Sequence, residues 1–188
     1  MRPPRCARCG APTAWQVERC RECAGRRLAF ASATSAYAYA GPAVPFVHAW
    51  KERGLRHLAP LAAELVLAVL ERPSADVITY IPPDPVRQLE RARHPAQALA
   101  YELGVRWQIE CVPLLARSRL TKRQATLPLA GRGGNVRDLF APTHAVRSRV
   151  VLIDDVYTSG STANAGATAL RRGGASRVEV MTFARAVR

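Results

Sequence analysis

The sequence has no apolar run of about 18 residues, which a membrane-spanning helix would need. Its first residues also lack the apolar segment of a secretory signal. We therefore expect a cytoplasmic protein with no membrane insertion. Of its 188 residues 48% are hydrophobic, enough for one domain with a real core and a small appendage. Only 6% are aromatic, so the composition gives little support for a platform that stacks nucleic-acid bases.

Two phosphate-binding signatures are missing as well. The chain contains no G-x4-G-K-[ST] of a P-loop, and no G-x-G-x-x-G follows a strand-like segment. These absences argue against the P-loop and Rossmann classes of nucleotide-binding protein. Lysine is rare, since only Lys51 and Lys122 occur among 28 basic residues, which indicates that these two positions favour a compact ammonium group.

Positive charge is present in excess, with 28 basic and 14 acidic residues and a net charge of +14. Such a balance suits phosphate-bearing partners through long-range attraction. The alternative is that the many arginines reflect overall composition and not selection for binding. Charge alone therefore does not identify the partner.

Four cysteines form two C-x2-C pairs, Cys6 with Cys9 and Cys20 with Cys23. Two pairs at this spacing can close a tetrahedral thiolate shell around one Zn²⁺, which stabilises a segment too short for its own apolar core. Four cysteine ligands leave no open position, so the zinc would be structural. The alternative is two disulfides, which a reducing compartment disfavours. We predict a zinc-ribbon-like module with four cysteine ligands over residues 1–30.

The remainder, residues 34–188, alternates strand-like and helix-like segments. The predicted strands lie near residues 35–41, 76–81, 107–115, 149–156 and 177–184, and the predicted helices near residues 43–50, 55–70, 86–104 and 161–175. The run "RVVLIDDV" is apolar on both faces, as in the middle of a parallel sheet. This alternation predicts an α/β fold with a mostly parallel sheet flanked by helices. Cys111, inside an apolar run, is expected in the core.

The segment from Arg117 to Arg149 differs from its surroundings. It carries eight basic residues against one acid, Asp138, and includes the glycine-containing stretch "AGRGGN". A loop of this length inside a compact domain is usually functional or a disordered linker. We expect it to be a long, mobile basic loop.

The stretch "VVLIDDVYTSGSTANA" places two carboxylates, Asp154 and Asp155, directly after a buried strand. Ligands of open parallel sheets bind beyond the carboxyl ends of the strands, near the start of the next helix. The backbone amides and hydroxyls of "TSGST" and the positive end of that helix favour a phosphate. Sugar hydroxyls or Mg²⁺ would suit the carboxylates. The alternative is a pair of solvated acids with no ligand.

This stretch resembles the signature of type I phosphoribosyltransferases, which bind 5-phosphoribosyl-1-pyrophosphate (PRPP) together with Mg²⁺. The resemblance implies that Asp154 and Asp155 hold the ribose 2′ and 3′ hydroxyls. It also implies that the small-residue turn binds the 5′-phosphate through five residues: Thr158, Ser159, Gly160, Ser161 and Thr162.

Over almost its whole length the chain resembles the competence-related ComF family, in which a zinc module precedes a phosphoribosyltransferase domain. The two cysteine pairs and "AWKERG" are similar to that family, and a third similarity is the pattern Q-x2-L-x4-R-x2-N-x4-F. Its members here are Gln124, Leu127, Arg132, Asn135 and Phe140. One departure stands out: many family members have R-G-F-N where this chain has "RARH", residues 91–94.

The resemblance implies a site for the leaving diphosphate near "YIPPDP". Its candidate residues are Pro83, Asp84, Arg87 and Arg91. Lys122, in the basic loop, is a further candidate for the diphosphate and for catalysis with the aspartates, the alternative being a solvated charge. No general base is evident, because the four histidines (His48, His57, His94 and His144) are expected to be surface or capping residues.

Two functions follow from these observations. The first is transfer of a phosphoribosyl group from PRPP to an unidentified nitrogen acceptor, with the part of the basic loop from Arg117 to Asn135 as a lid that excludes water. The second is non-catalytic binding of single-stranded DNA during DNA uptake, as the family's link to transformation implies. For that function the candidate contacts are Arg119, Lys122 and Arg123.

Overall fold

A parallel sheet organises the chain in the computed structural model, which describes residues 4–51, 55, 57–83, 94–118, 139–146 and 148–187. The strands are β1 (Ser32–Ala38), β2 (Val77–Tyr80), β3 (Leu115–Arg117), β4 (Phe140–Pro142), β5 (Arg149–Tyr157) and β6 (Arg177–Arg185). The helices are α1 (Ala43–Lys51), α2 (Leu58–Leu67), α3 (Pro95–Trp107) and α4 (Ser161–Arg172).

Within the described residues, four strands pair in the order β1-β6-β5-β2, and every pair is parallel. The central strand β5 is apolar on both faces because both faces are covered. Val150 and Leu152 belong to one buried cluster, whereas Val151 and Ile153 belong to the other. The predicted α/β fold with a mostly parallel sheet flanked by helices is therefore confirmed.

Different elements cover the two faces of the sheet. Helices α1, α2 and α3 pack with Val151 and Ile153, and helix α4 packs on the opposite face with Val150 and Leu152. Three of the N-terminal cysteines lie in the same buried cluster as α4. In the part of the chain that the structure describes, no helix has both the length and the apolar character needed to cross a bilayer.

Two predictions about the middle of the chain are corrected by the structure. Residues 107–115 are not a strand, because α3 continues to Trp107 and ends where Gln108 adopts a left-handed conformation (φ 54°). The next residues only bridge to Ile78 of β2, and Pro113 has no N–H to donate to a ladder. The segment from Arg117 to Arg149, predicted to be a loop, contains the short strand β4, which pairs antiparallel with β3, and its residues 119–138 and 147 lie outside the described residues.

The N-terminal module is joined to the edge of the sheet by main-chain contacts. The Ala31 amide donates to the Val178 carbonyl (2.7 Å), and the Ala33 amide donates to the Arg8 carbonyl (3.1 Å). Gly10 lies so close that a Cβ atom there would collide with the carbonyl oxygen of Ala33. The module therefore packs on β1 and β6 at close range, which only glycine at position 10 allows.

The close approach at Gly10 predicts a large effect for Gly10→Ala. Gly25 is the matched control, because both glycines have a left-handed backbone (φ 74° and 73°) but a Cβ atom added at Gly25 would meet no atom within 4 Å. Both changes should incur about 1–2 kcal/mol for the left-handed backbone, and Gly10→Ala should lose about 1–3 kcal/mol more through overpacking. Urea unfolding measures the free energy of unfolding of both variants. Equal losses in the two variants would contradict the close contact between Gly10 and Ala33.

Candidate functional site

The acidic pair, Asp154 and Asp155, lies at the point where β5 loses one neighbour. Pairing of β5 with β2 stops at Ile153, whereas pairing with β6 continues to Tyr157. Both aspartates are inside β5, within the strand predicted over residues 149–156. They nevertheless lie at the open edge, since β2 no longer covers that side of the strand.

Both carboxylates are buried, and one oxygen of each accepts a main-chain amide. Asp154 and Asp155 are 9% and 3% exposed, respectively. Asp154 Oδ1 accepts the Asp155 amide (2.9 Å), and Asp155 Oδ1 accepts the Val156 amide (2.7 Å). Asp155 Oδ2 lies 2.8 Å from Nζ of Lys51, the last residue of α1. This ion pair supplies one positive charge to two adjacent negative ones.

The burial of the pair changes its proton affinity. Burial raises the pKa of Asp154 well above its ordinary value, and the neighbouring Asp155 charge raises it further. The Asp155 amide and the Lys51 ammonium oppose this rise. A ligand that brings hydroxyl donors or a cation would therefore favour the ionised form of Asp154.

The acidic pair opens onto a cavity of about 350 Å³. This volume lies in the ordinary range for small-molecule sites, about 300–1,000 Å³. Besides the aspartates, its walls include Lys51, Arg117 and Thr158. Arg117 Nε donates to the Pro83 carbonyl (3.0 Å), and its guanidinium lies over the ring of Phe140 (5.3 Å). Carboxylates, cations and hydroxyls thus share one cavity.

The turn after β5 forms another wall of the cavity through Thr158 and Thr162. Between them, Ser159 is exposed, and its Oγ donates to Ser161 Oγ (2.9 Å). Gly160, the N-cap of α4, has a left-handed backbone (φ 74°), and a Cβ there would collide with the Tyr157 hydroxyl. Glycine is therefore required at this position, and the turn presents hydroxyls beside the N-terminus of a twelve-residue helix.

Several predicted site residues lie outside the described residues: Asp84, Arg87, Arg91, Arg119, Lys122 and Arg123. Their roles in binding diphosphate or DNA remain predictions. Pro83 is described and contributes its carbonyl to Arg117, while the neighbouring Pro82 lines the cavity.

Three residues of the cavity were not assigned to it from the sequence. Lys51 was singled out only as one of two lysines and as part of "AWKERG", and Arg117 only as the start of a basic segment. His94 was expected at the surface or as a cap; it is at the N-cap position of α3, makes no side-chain capping bond and lines the cavity. The other three histidines are exposed, as predicted.

The four N-terminal cysteines converge on one point. Their sulfur atoms all lie within 4.8 Å of one another. The Sγ–Sγ distances are 3.6 Å for Cys6–Cys23, 3.4 Å for Cys9–Cys20 and 3.9 Å for Cys20–Cys23. A tetrahedron with Zn–S bonds of about 2.3 Å places its sulfurs about 3.8 Å apart. The cluster therefore has the size of a tetrahedral metal site.

The cysteines of the cluster are also in a chemical state that allows metal binding. All four cysteines are free thiols, so the structure does not contain the alternative pair of disulfides. Burial raises the pKa of Cys6, but the amides of Cys9, Cys20 and Arg8 outweigh it and lower the value to about 7. Burial raises the pKa of Cys9 and Cys23. A divalent cation would be needed to hold these buried sulfurs as thiolates.

Comparisons with known proteins agree with the predicted family resemblance. No protein-family model matches the chain. DNA utilization protein YhgH of Escherichia coli O6:H1 is 29% identical over 96% of this chain and 83% of the relative. Competence protein F of Haemophilus influenzae is 25% identical over 97% of this chain and 85% of the relative. These similarities span nearly the whole chain, so the resemblance to the ComF family is confirmed.

Two solved structures are similar to part of the chain. The glutamine PRPP amidotransferase of B. subtilis, complexed with ADP and GMP, is 23% identical over 68% of this chain and only 25% of its own chain, with a TM-score of 0.44. The purine phosphoribosyltransferase of Pyrococcus horikoshii is 16% identical over 72% of this chain and 75% of its own chain, with a TM-score of 0.35.

The burial of Asp154 predicts a stabilising substitution. Because the pKa of Asp154 is raised, the folded protein keeps this proton to higher pH than the unfolded chain does. The resulting stability is complete below about pH 3.9, the unfolded value, and is lost as pH rises through the raised pKa. Asp154→Asn should therefore be more stable than the unaltered protein at pH 7, by about 2–4 °C in melting temperature for each kcal/mol gained.

Asp76 provides a control, because replacing it by Asn should change the stability at pH 7 in the opposite direction. Hydrogen bonds from exposed Arg149 lower the pKa of Asp76 to about 2, so its contribution to stability is present at neutral pH and lost in acid. Asp76→Asn should lower the melting temperature at pH 7, by a difference that persists down to about pH 4 and shrinks as the pH falls from there to about 2. Thermal unfolding between pH 2 and 8 measures both variants. A loss of stability in Asp154→Asn at pH 7 would contradict the proposed burial of charge.

Proposed function

We propose that this chain binds PRPP with Mg²⁺ in the cavity beside Asp154 and Asp155 and transfers its phosphoribosyl group to a nitrogen acceptor. The observation that supports the proposal is that acidic, basic and hydroxyl side chains line one cavity. Two buried adjacent carboxylates, two cations and the hydroxyls of the turn line the same 350 Å³ space. A phosphorylated sugar offers a matching set of hydroxyl donors and phosphate acceptors.

The proposed division of roles follows the chemistry of each wall. The carboxylates of Asp154 and Asp155 would accept hydrogen bonds from the ribose 2′ and 3′ hydroxyls. The turn from Thr158 to Thr162 would bind the 5′-phosphate with its hydroxyls and with the positive end of α4. Arg117, which also lines the cavity, is suited to the diphosphate because its planar guanidinium matches phosphate oxygens.

Lys51 has a supporting role in this proposal. Its ammonium group, 2.8 Å from Asp155, offsets the repulsion between the two carboxylates before a ligand arrives. Ribose hydroxyls would then replace part of this stabilisation by donating to the carboxylate oxygens. The ion pair thus fixes the position of the Asp155 carboxylate beside the cavity.

The donor set fits Mg²⁺ only together with a substrate. Mg²⁺ prefers six oxygen ligands and usually takes one or two carboxylates plus substrate phosphates. The acidic pair supplies oxygens of this kind, but among the described residues the cysteine cluster alone brings three or more possible ligands together. Mg²⁺ would neutralise charge on the diphosphate, as the C1–O bond to it breaks and a C1–N bond to the acceptor forms.

The cysteine cluster is proposed to hold one structural Zn²⁺. Its size matches a tetrahedral thiolate shell, and Cys6, Cys9 and Cys23 are buried. Backbone donation from the Cys20 amide to Cys6 Sγ (3.2 Å) is suited to a thiolate ligand. The metal would stabilise the fold of the module and would take no part in the transfer.

Calorimetry with PRPP and Mg²⁺ tests the proposed site. The unaltered protein should release or absorb heat with one site per chain, and the double variant Asp154→Asn/Asp155→Asn should lose affinity at least tenfold, since it removes both anionic acceptors. Asp76→Asn, a change of the same chemistry at an exposed site, should bind normally. Absence of any heat with the unaltered, zinc-loaded protein would overturn the proposed function.

Metal analysis tests the cluster. The purified chain should contain about one zinc per molecule, and Cys20→Ser or Cys23→Ser should lose it, since three thiolates bind far more weakly than four. Cys111→Ser is the control, because Cys111 is a free thiol outside the cluster. A stoichiometry near zero in chain purified without chelator would contradict a structural zinc site.

A further inference from the structure

The end of the four-cysteine module touches the turn that the proposed function assigns to phosphate. Arg26, three residues after Cys23, donates from its guanidinium to the main-chain carbonyl of Ser159 (2.8 Å). Asn164 in the first turn of α4 accepts the Ala29 amide (2.7 Å) and donates to the Arg27 carbonyl (3.3 Å). The segment that follows the cysteines is therefore bonded to the turn and to the helix behind it.

A second connection passes through a buried guanidinium. Arg185, at the end of β6, is 3% exposed. It donates to the Cys9 carbonyl (2.7 Å) and to the Glu22 carboxylate (2.7 Å), so its two acceptors belong to the two halves of the cysteine cluster. Its guanidinium also lies 4.5 Å from the ring centre of Tyr157. Arg185 thus joins the cluster to the last residue of β5.

Tyr157 carries this connection to the turn. Its ring packs edge-on against Phe30 of the module (6.5 Å between centroids). Its hydroxyl occupies the space that a side chain at position 160 would need, so Gly160 and Tyr157 are in direct contact. A displacement of Tyr157 would therefore change the packing around Gly160, the N-cap residue of α4.

These contacts are expected to differ between the metal-bound and the metal-free module. With metal, the four sulfurs are held together and the carbonyl of Cys9 stays in place for Arg185. Without metal, a segment of this size lacks the apolar core to remain folded. Arg185 would then keep its burial but lose both acceptors, which is costly for a charged group, so Arg185 and Tyr157 would have to rearrange.

We propose that the metal-loaded four-cysteine module forms the back wall of the phosphate turn, so that metal binding at the cysteines and phosphate binding at the turn strengthen each other. Arg26 and Arg185 are positioning residues in this arrangement, because they contact the turn or its support and not the ligand. The proposal rests on the proposed function for the nature of the ligand. By linkage, the factor by which metal tightens the ligand equals the factor by which ligand tightens the metal.

A pair of neighbouring arginines allows a matched test in the zinc-loaded full chain. Arg26→Ala removes the bond to Ser159, whereas Arg27→Ala removes the same charge from an exposed side chain and leaves its carbonyl bond to Asn164 intact. PRPP–Mg²⁺ affinity by calorimetry should fall about threefold or more in Arg26→Ala and stay unchanged in Arg27→Ala, with zinc content near one in both. Equal affinities in the two variants would overturn the role of Arg26.

The second measurement is the effect of the ligand on zinc affinity, which must equal the effect of zinc on ligand affinity. Zinc affinity by chelator competition, with and without saturating PRPP–Mg²⁺, should rise on ligand binding by about fivefold or more, the lower end of ordinary coupling. Arg185→Lys keeps the charge but cannot bridge two acceptors in one plane, so it should reduce this factor towards one. A factor of one in the unaltered protein that binds PRPP would overturn the linkage and leave the proposed function standing.

A ligand-free measurement separates the two proposals completely. Hydrogen exchange at the amides of residues 158–164 should quicken when zinc is removed, more than at Asp76, whose amide donates to Arg149 at the far end of β2 and β5. If PRPP fails to bind while this selective change occurs, the proposed function is wrong and the structural linkage holds. Uniform quickening across both regions would overturn the local route through Arg26, Arg185 and Tyr157, because the metal would then stabilise the whole fold and not the turn in particular.

Discussion

The repulsion between two buried, adjacent carboxylates is the constraint on which the site depends. Asp154 and Asp155 have little contact with water, so burying two carboxylates here is costly unless hydrogen-bond donors and a cation face them. Lys51 meets this need for Asp155, and its place is fixed by the aromatic packing of α1. In that helix Phe46 stacks on Phe183 of β6 (4.9 Å), and Trp50 packs edge-on against the same ring (6.0 Å). The electrostatics of the site therefore rest on an apolar cluster.

The opening of the site has an equally local cause. Strand β2 ends at Tyr80, two residues before Pro82 and Pro83, which cannot donate to a ladder. Because β2 stops, its pairing with β5 ends before Asp154, and the cavity lies beside this point, lined by Ile81 and Pro82 on one side and by the two aspartates. The carbonyl of Pro83 then accepts from Arg117, so the same prolines that open the gap also orient a cation on its far wall.

The sequence was sufficient for features set by neighbours along the chain. The apolar run of β5, the cysteine spacing and the small-residue turn each have a local physical cause, and each is found where it was predicted. It was insufficient where the decisive partner is distant in sequence, as for Lys51 with Asp155 or Arg185 with Cys9. It also failed at residues 107–115, whose β-like composition is overridden because α3 buries Leu103 and Trp107 before it ends.

The contacts of two arginines show why the net charge does not tell how much positive charge is available to a ligand. Arg8 donates to the carbonyls of Leu28 and Ala31, and Arg185 donates to Cys9 and Glu22, so these guanidiniums serve the internal packing of the module. Four thiolates around one divalent ion would add two negative charges to that same module. Among the described residues, the basic side chains that line the cavity are Lys51, Arg117 and His94, so the charge near a ligand there is far smaller than the net +14. Selectivity for a sugar phosphate would follow from where Lys51 and Arg117 stand relative to the carboxylates, and a chain of lower net charge with the same placement should bind as well.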